Sequence, residues 1–170
     1  MQCIAKGLQI LGALSLAVIL VAVGVLGYSV ATNGNRINVA TKDGVQFVFN
    51  WSGLKSNQEY KVLSSFESTR SLTGDHLDYY CIQISDFSPN DNNKENWQPV
   101  SSLLNPIKEA AHEAQQVGNA SQCFGREIAN PDNFLAYVWS ATLHSKRITG
   151  LNVIFFDPQT KRLLYVGYKT

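Results

Sequence analysis

Residues 134–168, FLAYVWSATLHSKRITGLNVIFFDPQTKRLLYVGY, contain runs that are rich in β-branched and aromatic residues. Such residues are enriched in β-strands, and we predict strands at residues 134–143, 151–156 and 162–168. The segment Asp157-Pro-Gln-Thr160 has the residues of a tight turn, with Asp at its first position and Pro at its second. The last two strands are therefore predicted to form an antiparallel hairpin.

The clearest helix of the domain is predicted upstream of these strands, at residues 106–117. Asn105 can cap it, Pro106 suits its first position, and Gly118 can end it in the left-handed conformation. Its apolar side chains form one stripe: Ile107, Ala110, Ala111, Ala114 and Val117. We expect this stripe to lie on the sheet.

A further strand is predicted at residues 76–87, HLDYYCIQISDF, which alternate and are rich in Tyr and Ile. Residues 88–98 are predicted to be an exposed loop, because Pro, Asn and Asp crowd them. Trp97 is the only large apolar residue of that loop. It either pins the loop to the domain, which we favour, or contacts a partner.

Two more elements are predicted near the start of the domain. Residues 37–40 and 45–49 are expected to be the strands of a hairpin, with Lys42-Asp43-Gly44 as its turn. Ser56-Asn-Gln-Glu59 fits a capping box, in which Ser and Glu each satisfy a backbone N–H at a helix start. A helix is therefore predicted to follow, although the run Tyr60-Lys-Val-Leu is also compatible with a strand.

A hydrophobic stretch precedes the domain. Residues 8–30, LQILGALSLAVILVAVGVLGYSV, contain no charged residue, and a helix of this length spans roughly 34 Å, enough to cross a hydrocarbon core. We assign residues 8–31 to a transmembrane helix that acts as a signal-anchor. The short flank 1–7 precedes it, and the short tether 32–36 connects it to a domain at residues 37–170.

A cleaved signal peptide is the alternative, with Ser29-Val30-Ala31 as the cleavage site. The apolar region of a signal peptide has roughly 7 to 15 residues, so the length of the stretch favours an anchor. The flanking charges do not orient the helix, because Lys6 and the chain's own amine on one side are matched by Arg36 and Lys42 on the other.

These elements together predict the fold class. Neighbouring strands joined by short turns pair antiparallel, and helices in such folds pack on the sheet. We predict an α+β fold, in which an N-terminal transmembrane helix is followed by a mainly antiparallel sheet with one or two helices packed on one face.

Two cysteines and two sequons favour an extracytoplasmic domain, whether periplasmic, extracellular or luminal. Cys81 and Cys123 allow a single disulfide in an oxidising compartment; the alternative is two unrelated buried thiols. Asn50-Trp-Ser and Asn119-Ala-Ser are glycosylation acceptors only in a eukaryotic secretory pathway. The low charged fraction, 16%, favours the same placement.

The charge balance excludes one class of partner. The chain has 14 Lys plus Arg and 13 Asp plus Glu, and Lys6 is the one cation before the hydrophobic stretch, so the remainder of the chain is formally neutral. A nucleic-acid-binding surface needs an excess of clustered positive charge, so we expect no nucleic acid partner. The partners that we expect are the membrane itself and other proteins of a membrane complex.

The sequence offers no motif for catalysis, metal binding or a cofactor. It contains no G-x-S-x-G or S-x-x-K nucleophile pattern, no C-x-x-C pair, and neither G-x-G-x-x-G nor a Walker loop. His76 and Asp78 share one face of a predicted strand and could share a proton or a metal, but an ordinary polar strand edge is favoured. His112 is expected to pair with Glu109 and Glu113 on the wet helix face.

We predict a single-pass membrane-anchored protein that is not an enzyme. Its extracytoplasmic domain is expected to be a protein-interaction module or an accessory subunit of a membrane or envelope assembly. The alternative is a module that binds a small molecule or lipid between the sheet and helix 106–117. The residues singled out for contact or pocket roles are Tyr79, Tyr80, Trp97, Tyr137 and Trp139. A hydrolase built around His76 and Asp78 is the third possibility.

Overall fold

A computed structural model describes residues 15–25, 34–38, 40–71, 73–125 and 131–170. The chain divides into two units, Met1–Gly34 and Asn35–Thr170. The first unit is helical over residues 15–25. Within the described ranges, no helix has both the length and the apolar character needed to cross a membrane. The remainder of the predicted membrane helix, its flank 1–7 and the start of the tether lie outside the described residues.

The second unit is built on a seven-stranded antiparallel sheet with short helices. The strands are β1 (Arg36–Ile37), β2 (Tyr60–Glu67), β3 (His76–Ile84), β4 (Trp97–Pro99), β5 (Leu135–His144), β6 (Arg147–Asp157) and β7 (Arg162–Lys169). The predicted strands at 76–87 and in the last part of the chain are confirmed, with small shifts at their ends. The α+β class is confirmed as well.

The sheet has the order β1-β2-β3-β7-β6-β5-β4. Strands β1 to β3 form one side of the sheet, and the chain then crosses to the opposite edge, where β4 lies. Strands β5, β6 and β7 return toward the centre, and β7 pairs with β3 from His76↔Lys169 to Gln83↔Arg162. The middle of the sheet is therefore made by two strands that are distant in sequence.

Within the described residues of the second unit there are four α-helices, α1 (Lys42–Ser52), α2 (Asp91–Lys94), α3 (Ile107–Val117) and α4 (Ala120–Phe124). Helix α1 packs in one core cluster, with Ile154 and Leu163 of the sheet. Helices α3 and α4 pack in the other cluster, with Val153 and Leu164. Because successive side chains of a strand point to opposite faces, helices cover both faces, and the prediction of one covered face is wrong.

Helix α1 replaces the predicted hairpin at residues 37–49. Thr41 caps it by accepting the backbone N–H of Gly44, and Gly53 ends it in the left-handed conformation with a φ of 69°. The residues of the predicted turn, Lys42-Asp43-Gly44, form the first turn of this helix. Its buried residues follow a helical spacing: Val45, Val48, Phe49 and Ser52.

Strand β2 replaces the helix predicted after the capping-box pattern at residues 56–59. Tyr60 pairs with Ile84 of β3, and the pairing continues to Glu67, which lies opposite Asp78. The strand alternative for this run was therefore the correct one. Pairing with β3 satisfies the backbone groups of β2 that a helix would otherwise satisfy internally.

The predicted helix at 106–117 is confirmed as α3, but its ends differ from the prediction. Pro106 takes the N-cap position instead of the first helical position, and no side chain caps the helix there. Gly118 has a φ of −81° and is not left-handed, whereas the next residue, Asn119, has a φ of 54° and starts α4. Gly118 serves close packing instead, because a Cβ at this position would clash with Cγ2 of Val166.

Residues 88–98, predicted to be a loop, contain the short helix α2 and the start of β4, and Trp97 attaches this segment to the domain. This side chain is 8% exposed, and its indole N–H donates a hydrogen bond of 3.0 Å to the backbone carbonyl of Ser52. Its ring also packs edge-on against Phe87. The side chain thus pins the loop against the end of α1, and it is not an exposed contact residue.

Cys81 of β3 and Cys123 of α4 form a disulfide, with Cα atoms 5.5 Å apart. Both residues are buried in the core cluster under α3. The bond links positions 42 residues apart and fixes α4 against the central strand β3.

Replacement of both cysteines by alanine is expected to lower the free energy of unfolding by about 4 kcal/mol, because the disulfide closes a long loop in the unfolded chain. Urea unfolding of the full chain in detergent measures this change. Reduction should destabilise the wild-type chain by a similar amount and leave the double variant unaffected. Equal midpoints for the oxidised and reduced wild-type chains would contradict the bond.

Candidate interaction surface

Three aromatic side chains form a cluster on the surface of the domain: Phe47 and Trp51 of α1 and Trp139 of β5. The indole rings of Trp51 and Trp139 stack with centroids 4.9 Å apart and planes inclined by 8°, and Phe47 packs against Trp51. Phe47 is 48% exposed and Trp139 is 46% exposed. We call these three residues the aromatic cluster.

Local geometry explains how the sequence builds this cluster. Phe47 and Trp51 are four residues apart on α1 and lie on one side of the helix. Trp139 is the extra residue of a β-bulge, because Val138 pairs with Val153 whereas Ser140 pairs with Asn152. Regular alternation from Tyr137 places the Trp139 ring on the side of the sheet that α1 covers, and the bulge brings Ser140 to the same side, opposite Asn152.

The cluster rests on a row of polar contacts across the sheet. Trp51 packs edge-on against Tyr165, with ring centroids 6.2 Å apart. The Tyr165 hydroxyl donates to Oδ1 of Asn152 at 3.0 Å, and Nδ2 of Asn152 donates to Oγ of Ser140 at 2.9 Å. Burial raises the pKa of Tyr165 to about 12. These contacts support the stacked indole rings of Trp51 and Trp139 on the side that faces the sheet.

A cluster of polar side chains lies at the other end of the same face and contains two carboxylates on paired strands, β2 and β3. Glu67 lies opposite Asp78, and like charges in this position repel. Nη2 of Arg70 donates to Oδ2 of Asp78 at 2.7 Å, while the Tyr80 hydroxyl donates to Oε1 of Glu67 at 2.7 Å. Burial and the Glu67 carboxylate raise the pKa of Tyr80. Each carboxylate therefore has its own neutralising or donating partner.

The structure does not join His76 and Asp78 in a catalytic pair. Nδ1 of His76 lies 2.8 Å from the backbone carbonyl of Gly74 and donates to it, and Asp78 is bonded to Arg70. This arrangement is that of a polar strand end beside a turn, the interpretation that the sequence favoured.

His112 has a different partner from the one expected. Its Nε2 lies 2.8 Å from Oδ1 of Asp132, and Nζ of Lys108 donates to Oδ2 of the same carboxylate at 3.0 Å. The hydrogen bonds from His112 and Lys108 hold the pKa of Asp132 below its usual value. Asp132 lies in the turn before β5, so its contacts with Lys108 and His112 link α3 to that turn. The pairing of His112 with Asp132 replaces the expected pairing with Glu109 and Glu113.

The residues proposed as one pocket lie on opposite faces of the sheet. Tyr79 packs on the side of α3, where it stacks on Phe66 and accepts a hydrogen bond of 2.8 Å from Nδ2 of Asn119. Tyr80 and Tyr137 pack on the side of α1. The structure therefore brings Trp139 together with α1 and separates it from Tyr79.

A groove of about 240 Å³ lies between α3 and the turn that joins β5 to β6. Its charged walls carry Glu109 and Glu113 on the helix and Lys146 and Arg147 on the turn. Within the described ranges, no group of three or more His, Cys, Asp or Glu could hold a metal ion.

Both sequon asparagines are exposed. Asn50 lies in the last turn of α1 and accepts a hydrogen bond from Gln46 through its Oδ1 at 3.1 Å. Asn119 lies in the turn between α3 and α4. Their modification stays a prediction.

Comparison of the chain with protein-family models, with curated proteins and with solved structures finds no match. Any proposal about function therefore rests on the residues and contacts described above.

Tyr165, which supports the aromatic cluster, makes the free energy of unfolding depend on pH in the alkaline range. The Tyr165 pKa of about 12 lies above its ordinary value of 10.0, so the fold favours the protonated phenol. Its contribution to stability is complete below pH 10 and is lost as pH rises from 10 to about 12. Tyr165→Phe should reduce the fall in unfolding free energy over this interval.

Tyr168→Phe is the matched control. Burial raises the pKa of Tyr168 to about 12 as well, but its hydroxyl has no hydrogen-bond partner in the part of the chain that the structure describes. Both variants should flatten the alkaline slope, and only Tyr165→Phe should lose about 1 kcal/mol at pH 7. Equal stability of the two variants at pH 7 would show that the Tyr165–Asn152 bond contributes nothing.

Proposed function

We propose that this chain is a single-pass membrane-anchored protein whose extracytoplasmic domain acts as a non-enzymatic protein-interaction module or accessory subunit of a membrane or envelope assembly. The observation that carries the proposal is the aromatic cluster of Phe47, Trp51 and Trp139. The length of the apolar stretch at residues 8–30 supports the anchor. The Cys81–Cys123 bond supports an oxidising compartment.

The aromatic cluster has the character of a protein-binding centre. Trp and Phe are enriched in the cores of protein interfaces, and a few such residues supply most of the binding free energy. The two stacked indoles are already held in place by each other and by Tyr165, so these two side chains lose little conformational entropy when a partner binds. Gln46 and Asn50 add polar groups beside the rings, as at the rim of an interface.

The packing of α3 weighs against the alternative of a ligand pocket between that helix and the sheet. The helix ends at Gly118, where the backbone approaches Val166 so closely that a Cβ would not fit. The groove at the other end of α3 carries charges of both signs, which does not suit a lipid chain. A hydrolase around His76 and Asp78 is weakened because each side chain is held by another group.

Loss of the aromatic cluster is expected to release the partner. Trp139→Ala and Phe47→Ala in the full chain should each lower the amount of co-purified partner at least about tenfold, since a central aromatic contributes about 2 kcal/mol or more. The measurement is purification from the native membrane in mild detergent, followed by quantitative mass spectrometry.

Leu104→Ala is the control, because Leu104 is 79% exposed and lies outside the cluster. It should leave co-purification unchanged. Circular dichroism must show that the cluster variants stay folded. If the folded Trp139→Ala chain retained its partner at the wild-type level, the aromatic cluster would not be the contact surface.

A further inference from the structure

One end of the sheet is the end at which the chain enters the domain. In the register of the strands, Lys169 of β7 lies between His76 of β3 and Gly150 of β6. Beyond this row lie the turn between β2 and β3 and the turn between β5 and β6. Asn35, with which the second unit begins, lies at the same end, because its Oδ1 accepts the backbone N–H of Thr69 at 2.9 Å.

Exposed cations gather at this end of the sheet. They lie at the start of β1, between β2 and β3, at the β5–β6 turn and at the end of β7: Arg36, Arg70, Lys146, Arg147 and Lys169. We call the part of the domain that carries these cations the basic end.

Three carboxylates of the basic end already have side-chain donors. Arg70 donates to Asp78, the Tyr80 hydroxyl donates to Glu67, and the Thr73 hydroxyl donates to Asp75. Asp78 is also buried, with 7% of its surface exposed. These carboxylates therefore leave most of the cations without a neutralising partner.

Two further carboxylates lie across a groove from the cations of the β5–β6 turn. Glu109 and Glu113 line one wall of this groove, and Lys146 and Arg147 line the other. Within the described ranges, no salt bridge joins the two walls. Both cations can therefore pair with an anion from outside the chain.

Exposed apolar side chains accompany the cations. The three most exposed large apolar residues among the described part of the second unit are Leu104 at 79%, Ile37 at 71% and Leu143 at 61%. Ile37 follows Arg36 on β1, Leu143 lies next to the β5–β6 turn, and Leu104 lies close to Pro106 on the groove wall. Apolar side chains beside Lys and Arg suit a membrane interface, where they enter the headgroup layer while the cations attract anionic lipids.

We propose that the basic end binds the anionic phospholipid headgroups of the membrane in which the chain is anchored. This contact requires the membrane anchor of the proposed function and goes beyond it, since it gives the domain a second surface with a lipid partner. Residues 32–34 connect the predicted membrane helix to Asn35, and a chain extends at most about 3.6 Å per residue. An anchor at residues 8–31 therefore keeps the basic end, and not the opposite end, within reach of the headgroups.

A protein is the competing occupant of the basic end. The cores of protein interfaces are enriched in aromatic residues and depleted of Lys. The large exposed side chains at the basic end are aliphatic and lie beside cations, whereas the exposed aromatics Phe47 and Trp139 belong to the aromatic cluster. The two surfaces therefore suit different partners, and the basic end favours lipid.

Fluorescence quenching of the full chain in lipid nanodiscs tests the contact. In a Cys3→Ser background, with Cys81 and Cys123 joined in the disulfide, Ser145→Cys carries a fluorophore in the β5–β6 turn and Gln159→Cys carries it in the β6–β7 turn. These turns lie at the two ends of β6, roughly 33 Å apart. Nitroxide-labelled headgroups in nanodiscs that contain phosphatidylglycerol should quench the fluorophore at position 145 and leave the one at position 159 nearly unquenched.

Charge variants supply the second measurement. Lys146→Gln combined with Arg147→Gln should lower the equilibrium constant for docking, taken from the quenching at position 145, at least about tenfold. Lys55→Gln combined with Lys161→Gln is the matched control, because it removes the same charge from exposed positions at the opposite end and should leave quenching unchanged. Replacement of phosphatidylglycerol by phosphatidylcholine should act like the first double variant.

Several outcomes overturn the lipid contact. Equal quenching at positions 145 and 159 does so, as does quenching at position 145 that responds neither to lipid charge nor to the variant without Lys146 and Arg147. Shielding of position 145 that occurs only with a co-purified protein assigns the basic end to that protein instead. An unquenched chain whose partner is lost in Trp139→Ala overturns the lipid contact and leaves the proposed function intact. A chain that does not enter nanodiscs overturns the anchor and with it both proposals.

Discussion

The antiparallel pairing of β3 with β7 is the constraint on which the rest of the fold depends. It runs from His76↔Lys169 to Gln83↔Arg162 and joins the two halves of the sheet. Because its partners are far apart in sequence, its loop-closure entropy is large. The disulfide reinforces this centre, since Cys81 lies on β3 and Cys123 lies on α4, which packs against β7. Both helical layers then cover strands whose positions this pairing fixes.

The sequence predicts the elements whose local pattern agrees with their final environment. The strands of the last third of the chain and helix α3 belong to this group, since turn residues and apolar spacing indicate the same structure. The run Val45-Gln-Phe-Val-Phe49 does not, because it satisfies both a period of two and the helical spacing. Thr41 decides the outcome by capping α1, and only the structure shows that cap.

The same ambiguity explains how much of the aromatic cluster was predictable. The sequence singles out Trp139 for a contact or pocket role together with Tyr79, which lies on the opposite face. It does not single out Phe47 and Trp51, because the predicted strand at residues 45–49 ends before Trp51 and an extended chain keeps positions 47 and 51 about 13 Å apart. Their separation by four residues is the signal that a helix assignment would have used. The error in one element therefore hid two of the three residues.

The β-bulge at Trp139 connects the aromatic cluster to the polar contacts beneath it. Regular alternation from Tyr137 places the Trp139 ring on the face that α1 covers, where the ring stacks on Trp51. The inserted residue shifts the register so that Ser140 lies opposite Asn152 and accepts its hydrogen bond on that same face. Without the bulge, Ser140 would lie on the opposite face, and Asn152 would lose this contact. A single inserted residue therefore places an aromatic ring and its polar support side by side on β5.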